Sequence, residues 1–487
     1  MISDIEKIVE CLKKDTNNIG DIVYREKIIH KKKLYIIFNE PLASSDKISD
    51  FVIRSLNRIE DNRISVKKIF DVIENDISNF KVKIVDNYKD ICFYLHRGFT
   101  IILVDGDNQA LVLETKADLA RSVSTPDTEN TLRGSKDAFV EDYQKNIGLL
   151  KKRIRSNDLW IDSVILGKYT DTQIGVLYVN GVVKEDLVEK VKNELNKIDI
   201  SGVISSEILK NLIEKENKSV FPTVITTERP DVVASALLEG KVVIIVDNSP
   251  YALILPGILN DFFKTAEDYY GKWENVSLTR IVKVIAFFIS LLMPATYIAL
   301  ITYNQEMIPT ELLVSFATQR DGVPFPAFFE AAIMLLSFEI LRESDLRVPG
   351  FTGSSLSIVG ALILGDAAVQ AGIVSPIMII VIAITAISAL PFSEPELTNG
   401  LRWYRLLFMI GASLLGIVGV VVVFIYFVIE LVSLNSFGKP YLMPYAPTYY
   451  TGLKNSIIKF PTKMLNKRRP YLSDNTIRQR IDQNEKN

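Results

Sequence analysis

Carboxylates set in hydrocarbon are the residues of this chain with the clearest chemical potential. The stretch VPFPAFFEAAIMLLSFEILRE (323–343) is almost wholly apolar, yet it holds Glu330, Glu339 and Glu343. A second apolar run, SSLSIVGALILGDAAVQA (354–371), contains Asp366. An ionised group in lipid is expensive and normally faces water, a partner or an ion path. The chemistry such residues suit is the attraction and passage of cations. Other chemistries lack material. Two histidines (His30, His96) and two cysteines (Cys11, Cys92) are too few for a metal site, a disulfide framework or most nucleophilic mechanisms. There is no Gly-rich phosphate loop and no nucleic-acid motif, and the net charge of −2 suits no polyanion. We therefore expect no enzyme, cofactor, metal or nucleic acid.

Wound at about 100° per residue, 354–371 places Ser355, Val359, Leu362, Asp366 and Val369 on one stripe, with Gln370 at its edge. Gly360, Ala361, Gly365 and Ala368 lie mostly on the other side, where small residues let helices approach closely. If several copies ring an axis, Val359 and Leu362 form a hydrophobic constriction and Asp366 a cation-attracting ring. The alternative is an interfacial Asp366 bonded to a neighbour, and the residues alone leave both open. Glu330 and Glu339 are nine residues apart, on opposite faces of a helix. That suits 323–341 as a re-entrant or in-plane helix entered through Pro324/Pro326, its acids facing protein or interfacial water. A fifth span is the alternative.

These residues need helices to hold them. Four apolar segments are expected to span: 284–301, kinked at Pro294, then 354–371, 375–392 and 406–429. Lys264, Lys272, Arg280 and Lys283 precede the first, and a basic tail follows the last. Basic flanks favour the cytoplasm, so both termini are expected there. Most of the charge lies before 283 and after 430, so a soluble half is fused to a membrane half. The N-terminus has no apolar core of the secretory type.

The soluble half is a duplication. GFTIILVDGDNQALVL (98–113) aligns without gaps on GKVVIIVDNSPYALIL (240–255), at an offset of 142. KDICFYLHRG (89–98) lies over DVVASALLEG (231–240), and LYIIFNEPL (34–42) over GVLYVNGVV (175–183), with Asn39 above Asn180. Each copy reads as strand and helix, then a hairpin, over about 31–115 and 172–258. Between them, 136–154 reads as a solvated connector helix ending in KKRIR. Arg153 and Arg155 are its candidates for contacts between subunits. The expected organisation is one α/β subdomain at 1–134 and a duplicate at 135–278, led by the linker helix. A multi-pass helical membrane domain follows at 279–432, then a basic cytoplasmic tail at 433–487.

The runs ERPDVVASALLEGKVVIIVDNSPYALILP, EDYY, QEMIPTELLVSFATQRDGVPFPAFFEAAIMLLSFEILRE and SIVGALILGDAAVQAGIVSPIMIIVIAITAI resemble the A subunits of GerA-family spore germination receptors. RGSKDAFVEDYQKNIGLLKKRIRS (133–156) looks like the same family's N-terminal signature. The resemblance covers roughly 95–435; a SpoVA-type paralogue stays open. PFSEPE (391–396) departs from the PNY-like turn expected after the third span. The resemblance implies residence in the inner membrane of bacterial spores. It implies a transporter-like B subunit that senses nutrient, and a lipoprotein C subunit. It implies a homo-oligomeric ring that releases monovalent cations through a pore lined by 354–371. In the channel reading, the re-entrant segment with Glu330 and Glu339 lies near the gate. Two alternatives remain at this point: a non-conducting scaffold coupling the sensor to another channel, and a secondary transporter.

Overall fold

The computed structural model describes residues 5–16, 20–29, 32–54, 56–57, 82–107, 109–117, 126, 128–131, 133–214, 219–345, 365–475 and 477. The chain divides into an α/β unit (1–216, 224–256 and 465–487) and a helical unit (217–223 and 257–464).

The α/β unit contains two five-stranded antiparallel sheets of the same topology. The first has β1 (Ile22–Ile29), β2 (Lys32–Asn39), β3 (Val82–Val85), β4 (Thr100–Val104) and β5 (Ala110–Leu113), in the order β1-β2-β4-β5-β3. The second has β6 (Leu159–Leu166), β7 (Thr172–Val179), β8 (Ile225–Thr227), β9 (Val242–Val246) and β10 (Ala252–Leu255), in the order β6-β7-β9-β10-β8. The duplication read from the sequence is thus a duplication of fold.

Successive strand side chains point to opposite faces, and both faces of the first sheet are covered. Ile102 and Val104 of β4 pack with Ile48, Val52 and Leu56 on one side. Ile101 and Leu103 pack with helices Ile5–Asp15 and Tyr88–Leu95 on the other. That is why the central strands read as unbroken apolar runs rather than alternating ones. Special backbone positions recur at the same offset. Gly98 and Gly240 follow the equivalent helices with φ of +79° and +94°, the left-handed stop typical of a helix C-terminus. In the hairpins, Gly106 (φ +81°) is replaced by Asn248 (φ +62°), and asparagine tolerates that region best after glycine.

Two expectations need correction. First, the connector is neither solvated nor helical from 136. Helix Tyr143–Arg153 begins after Asp142, whose side chain caps the Lys145 N–H at 2.9 Å. Before it, the Val140 N–H bonds Asn146 Oδ1 and the Phe139 N–H bonds the Glu228 carbonyl, which holds that stretch off the helix. Tyr143, Ile147 and Leu150 are buried against Val233 and Leu237 of helix Pro230–Leu238. The helix thus takes, in the second copy, the place of Ile5–Asp15 in the first. Each copy therefore starts with a helix and an edge strand that lie before the aligned blocks.

Second, two of the four expected spans differ from their expected form, and 354–364 of a third lie outside the described residues. Among the described residues, Trp273–Thr302 is the one helix of sufficient length and apolarity to cross a membrane. It contains 284–301, with Pro294 inside a continuous helix. Helix Pro376–Ile387 has 12 residues, short of the ~20 that a bilayer requires. The run 406–429 turns back on itself. Helix Pro395–Leu415 ends and helix Ile417–Ser433 begins at Gly416, which has φ +61°. The hairpin closes tightly because Gly411 and Gly419 meet, and a Cβ on Gly419 would run into the Gly411 carbonyl. The Asn304 side chain receives the Ile417 N–H at 3.1 Å, and Tyr303 Oη donates to the Ser413 carbonyl at 3.0 Å. A hydropathy pattern cannot register one glycine that reverses the chain.

The described part of the tail, 433–475, is structured. Asn435–Ser436 pairs with Lys439–Pro440, and residues 465–475 belong to the α/β unit. Their role there follows from the repeat. In the first copy Ala43 bridges Lys116, just past β5, and the Ala117 N–H bonds the Leu42 carbonyl. In the second copy the chain past β10 leaves at Pro256. The near-equivalent Val183 bridges Ser473 instead, and the Lys184 N–H bonds the Leu472 carbonyl. The end of the chain thus completes the second subdomain.

Candidate functional site

Helix Ala327–Asp345 starts directly after Pro326. Glu330, in its first turn, is fully buried. Its Oε2 accepts from the Ser375 N–H (2.9 Å) and Ser375 Oγ (2.8 Å), and its Oε1 pairs with Arg320 Nη2 (3.1 Å). Ser375 precedes helix Pro376–Ile387, with Pro376 at its first position. Glu330 therefore serves as that helix's N-terminal cap from another element, and a carboxylate suits the positive end of the helix dipole. Arg320 closes helix Thr310–Arg320, so one carboxylate ties three helices together. Both Glu330 oxygens are thus occupied by protein partners.

Glu339 differs. It is about one-third exposed and pairs with Arg342 Nη2 (2.9 Å) and Arg402 Nε (3.1 Å). Arg405, one turn after Arg402, is buried and donates through Nε to the Ser290 carbonyl of the 273–302 helix at 2.7 Å. Glu330 and Glu339 thus have unlike surroundings, as opposite faces of one helix require.

Of the candidate pore stripe, Ser355, Val359 and Leu362 lie outside the described residues, as do the packing candidates Gly360 and Ala361. The described part is a helical stretch at 365–370. Gly365 is buried, Ala368 and Val369 are half-buried, and Asp366 and Gln370 are exposed. Gln370 Nε2 donates to Asp366 Oδ2 at 2.7 Å, one turn away on the same helix. An exposed carboxylate held this way keeps acceptor capacity for a cation.

Two cations of the basic flank, Arg280 and Lys283, are engaged internally. Arg280 Nε meets Asp268 Oδ2 at 2.7 Å, and its Nη1 donates to Asn455 Oδ1 and the Ser456 carbonyl. Lys283 Nζ donates to Thr265 Oγ1 at 3.1 Å. In the α/β unit, Arg153 Nη2 is bound to Asp137 at 2.5 Å and to Ser135 Oγ at 2.9 Å. Arg155 Nε donates to the Lys152 carbonyl, and its side chain is exposed.

Sequence reasoning passed over several groups. Arg229 is almost wholly buried and bonds the Glu129 and Ser135 carbonyls, Thr131 Oγ1 and Asp231. Glu228 receives the Thr128 and Glu129 N–H groups. Together they fasten 128–135 to the second subdomain, which accounts for the charged pair in ERPD. Lys151 reaches from the second subdomain into the first, where its Nζ meets Asp21 and lies 3.3 Å from Asn39 Oδ1. Beside it His96, in the first subdomain, meets Asn157 of the second. A Ser-Pro pair before an apolar run was the available signal for Ser375.

Residues 10–471 match the family described as Bacillus/Clostridium GerA spore germination protein. The chain belongs to the GerA family. Spore germination protein KA of Bacillus subtilis is 38% identical over 484 residues, covering 98% of this chain and 89% of the relative. Spore germination protein GerLA of Bacillus cereus is 33% identical over 478 residues, covering 97% of each. The N-terminal domain of the A subunit of the Bacillus megaterium spore germinant receptor GerK3 aligns at 30% identity. It covers 50% of this chain and 92% of that domain, with a TM-score of 0.40. The GerA resemblance first carried by ERPDVV and its neighbours therefore extends over nearly the whole chain.

Proposed function

We propose that this GerA-family chain is the A subunit of a nutrient-responsive spore germination receptor and forms its cation path. In this reading it sits in the inner membrane of the spore as a multi-pass protein with both termini cytoplasmic. It assembles as a homo-oligomeric ring with a transporter-like B subunit and a lipoprotein C subunit, and it is not an enzyme. The observation that carries the reading is Asp366: an exposed carboxylate at the end of an apolar run, bonded within its own helix to Gln370. At rest, Val359 and Leu362 close the axis by excluding water. Nutrient on the partner opens the ring only if the loaded partner contacts the open state better than the closed one. Glu330 holds the segment after the pore helix to its neighbours, so opening moves 365–375 together with the 327–345 helix.

The test is potassium leak without nutrient from cells expressing the chain with its partner subunits, comparing wild type with Leu362→Ala. A leak from the variant alone, at equal expression, supports the conducting subunit. A correctly assembled variant that does not leak leaves the chain as a scaffold that couples the sensor to another channel.

A further inference from the structure

Between Glu430 and Asp474 the sequence holds no acidic residue, and every formal charge there is basic. The part of this stretch that belongs to the helical unit ends at Met464. Within it, 449–464 displays large apolar side chains beside lysines. Tyr450 is 81% exposed, and Ile458, Phe460 and Met464 are exposed too, as are Lys454 and Lys463. The Phe460 N–H bonds the Lys454 carbonyl at 3.0 Å and Asn455 bridges Lys459, which closes 454–460 into a loop. Apolar groups presented in this way mark a surface that something covers.

What covers it follows from depth. The loop is bonded to the opening turns of the 273–302 helix, in the same unit. Ser277 Oγ accepts the Lys459 N–H at 3.0 Å. Arg280 Nη1 donates to Asn455 Oδ1 at 3.0 Å and to the Ser456 carbonyl at 2.7 Å. Lys459 Nζ donates to the Asp268 carbonyl, just before the helix. After Lys283 the helix carries no charge up to its end at Thr302, so hydrocarbon begins near Lys283. At about 1.5 Å per residue, Ser277 and Arg280 stand roughly 5–10 Å outside it. That is the depth of the headgroup layer, about 5–8 Å on each side of the core. The helix marks the same level itself. Lys272 and Trp273 are exposed at its start, and Leu278, Ile281 and Val282 are exposed just beyond. Aromatic residues and lysines gather at this boundary. Over 265–280 and 449–464 the exposed charges are Lys272, Lys454 and Lys463 against Glu267 and Glu274, a cationic balance.

We propose that 449–464 is an interfacial anchor lying on the leaflet that the 273–302 helix enters. Tyr450, Ile458, Phe460 and Met464 sit at the boundary of headgroups and acyl chains, and Lys454 and Lys463 meet anionic headgroups. Apolar contact and attraction to anionic lipid add in such anchors. The proposal rests on the reading of 273–302 as a membrane span.

The test uses the full chain without partner subunits, in vesicles of phosphatidylcholine or of an equal mixture with phosphatidylglycerol. After Cys11→Ser and Cys92→Ser, nitroxide labels are placed by Ile458→Cys, by Ile285→Cys on an exposed position of the spanning helix, and by Ile204→Cys on an exposed position of the α/β unit. Access to oxygen and to a water-soluble nickel chelate reads the depth of each. Position 458 should fall between 285, in lipid, and 204, in water. A label at 458 as open to the chelate as that at 204, with 285 in lipid, overturns the proposal alone. Water access at 285 overturns the spanning reading, and the proposal with it. Amide exchange of the unlabelled chain decides if the cysteine-free chain does not fold. Exchange over 449–464 should slow in the anionic vesicles by about fivefold for each lysine engaged. Lys454→Gln combined with Lys463→Gln should abolish that slowing. Equal exchange in the two lipids, or a slowing that survives both substitutions, overturns the anionic contact. Protection that appears only when the partner subunits are added gives this face to a protein and overturns the anchor.

Discussion

Replacing Glu330 by glutamine keeps the volume and removes the charge. The amide oxygen can still accept from Ser375, but without charge assistance, which costs about 1 kcal/mol at each of the two bonds. The amide nitrogen then faces Arg320, whose guanidinium loses its carboxylate. That head is 22% exposed and so partly rehydrated, which limits this contribution to about 1 kcal/mol against the 3–5 of a fully buried pair. The total is about 3 kcal/mol, concentrated at the start of the 376–387 helix. A change of that size in local opening speeds exchange of the Ser375 amide roughly 100-fold. Hydrogen exchange with mass spectrometry on the purified full chain reads it directly. Glu339→Gln is the control: its ion pairs are more exposed, and the expected loss is below about 1 kcal/mol. A Ser375 amide that changes less than about threefold, or an equal effect from both substitutions, would refute Glu330 as the cap that ties the three helices.

Lys151→Met strands the nearly buried Asp21 and should cost about 3–5 kcal/mol. The urea midpoint read from Trp160 fluorescence, with Trp273 and Trp403 changed to Phe, checks this, and Asp21→Asn added to Lys151→Met should recover much of the loss. Burial pushes the His96 imidazole below its ordinary value, the Asn157 contact opposes this, and the neighbouring Lys151 adds to it. Above about pH 6.5 both states are neutral at this group; below it the unfolded chain gains a proton first, so stability falls with falling pH. The urea midpoint should therefore drop between about pH 6.5 and 5, and His96→Gln should flatten that drop relative to wild type. Leu472 is fully buried, so Leu472→Ala should destabilise the second subdomain by about 2–5 kcal/mol and leave the first unaffected in exchange experiments.

The duplication was legible because buried hairpins restrict composition strongly, so β4 and β5 still align with β9 and β10. The opening helix and edge strand of each copy were not. β1 (IVYREKII) pairs on one side only and carries charge at Arg25, Glu26 and Lys27, which erases the repeat. Helix Tyr143–Arg153 looked solvated because its lysines and arginines dominate composition, yet Lys151 is buried in an ion pair and Arg153 is turned onto Asp137. In the helical unit, the apolar excess pointed to helices but not to their ends. Glu330 stood out as an acid in hydrocarbon, while its partner Ser375 is an ordinary serine 45 residues away. The chain reversal at Gly416 is a tertiary decision, made by neighbours rather than by local pattern.

The pairing of Ser473 with Val183 also sets an order of manufacture. The first subdomain has all its parts once residue 117 has left the ribosome. The second must wait with Val183 unbridged while the helical unit is synthesised, because Leu472 and Ser473 follow that unit in the chain. The first subdomain is therefore closed by residues that directly follow its own hairpin, and the second by a segment separated from its hairpin by the helical unit.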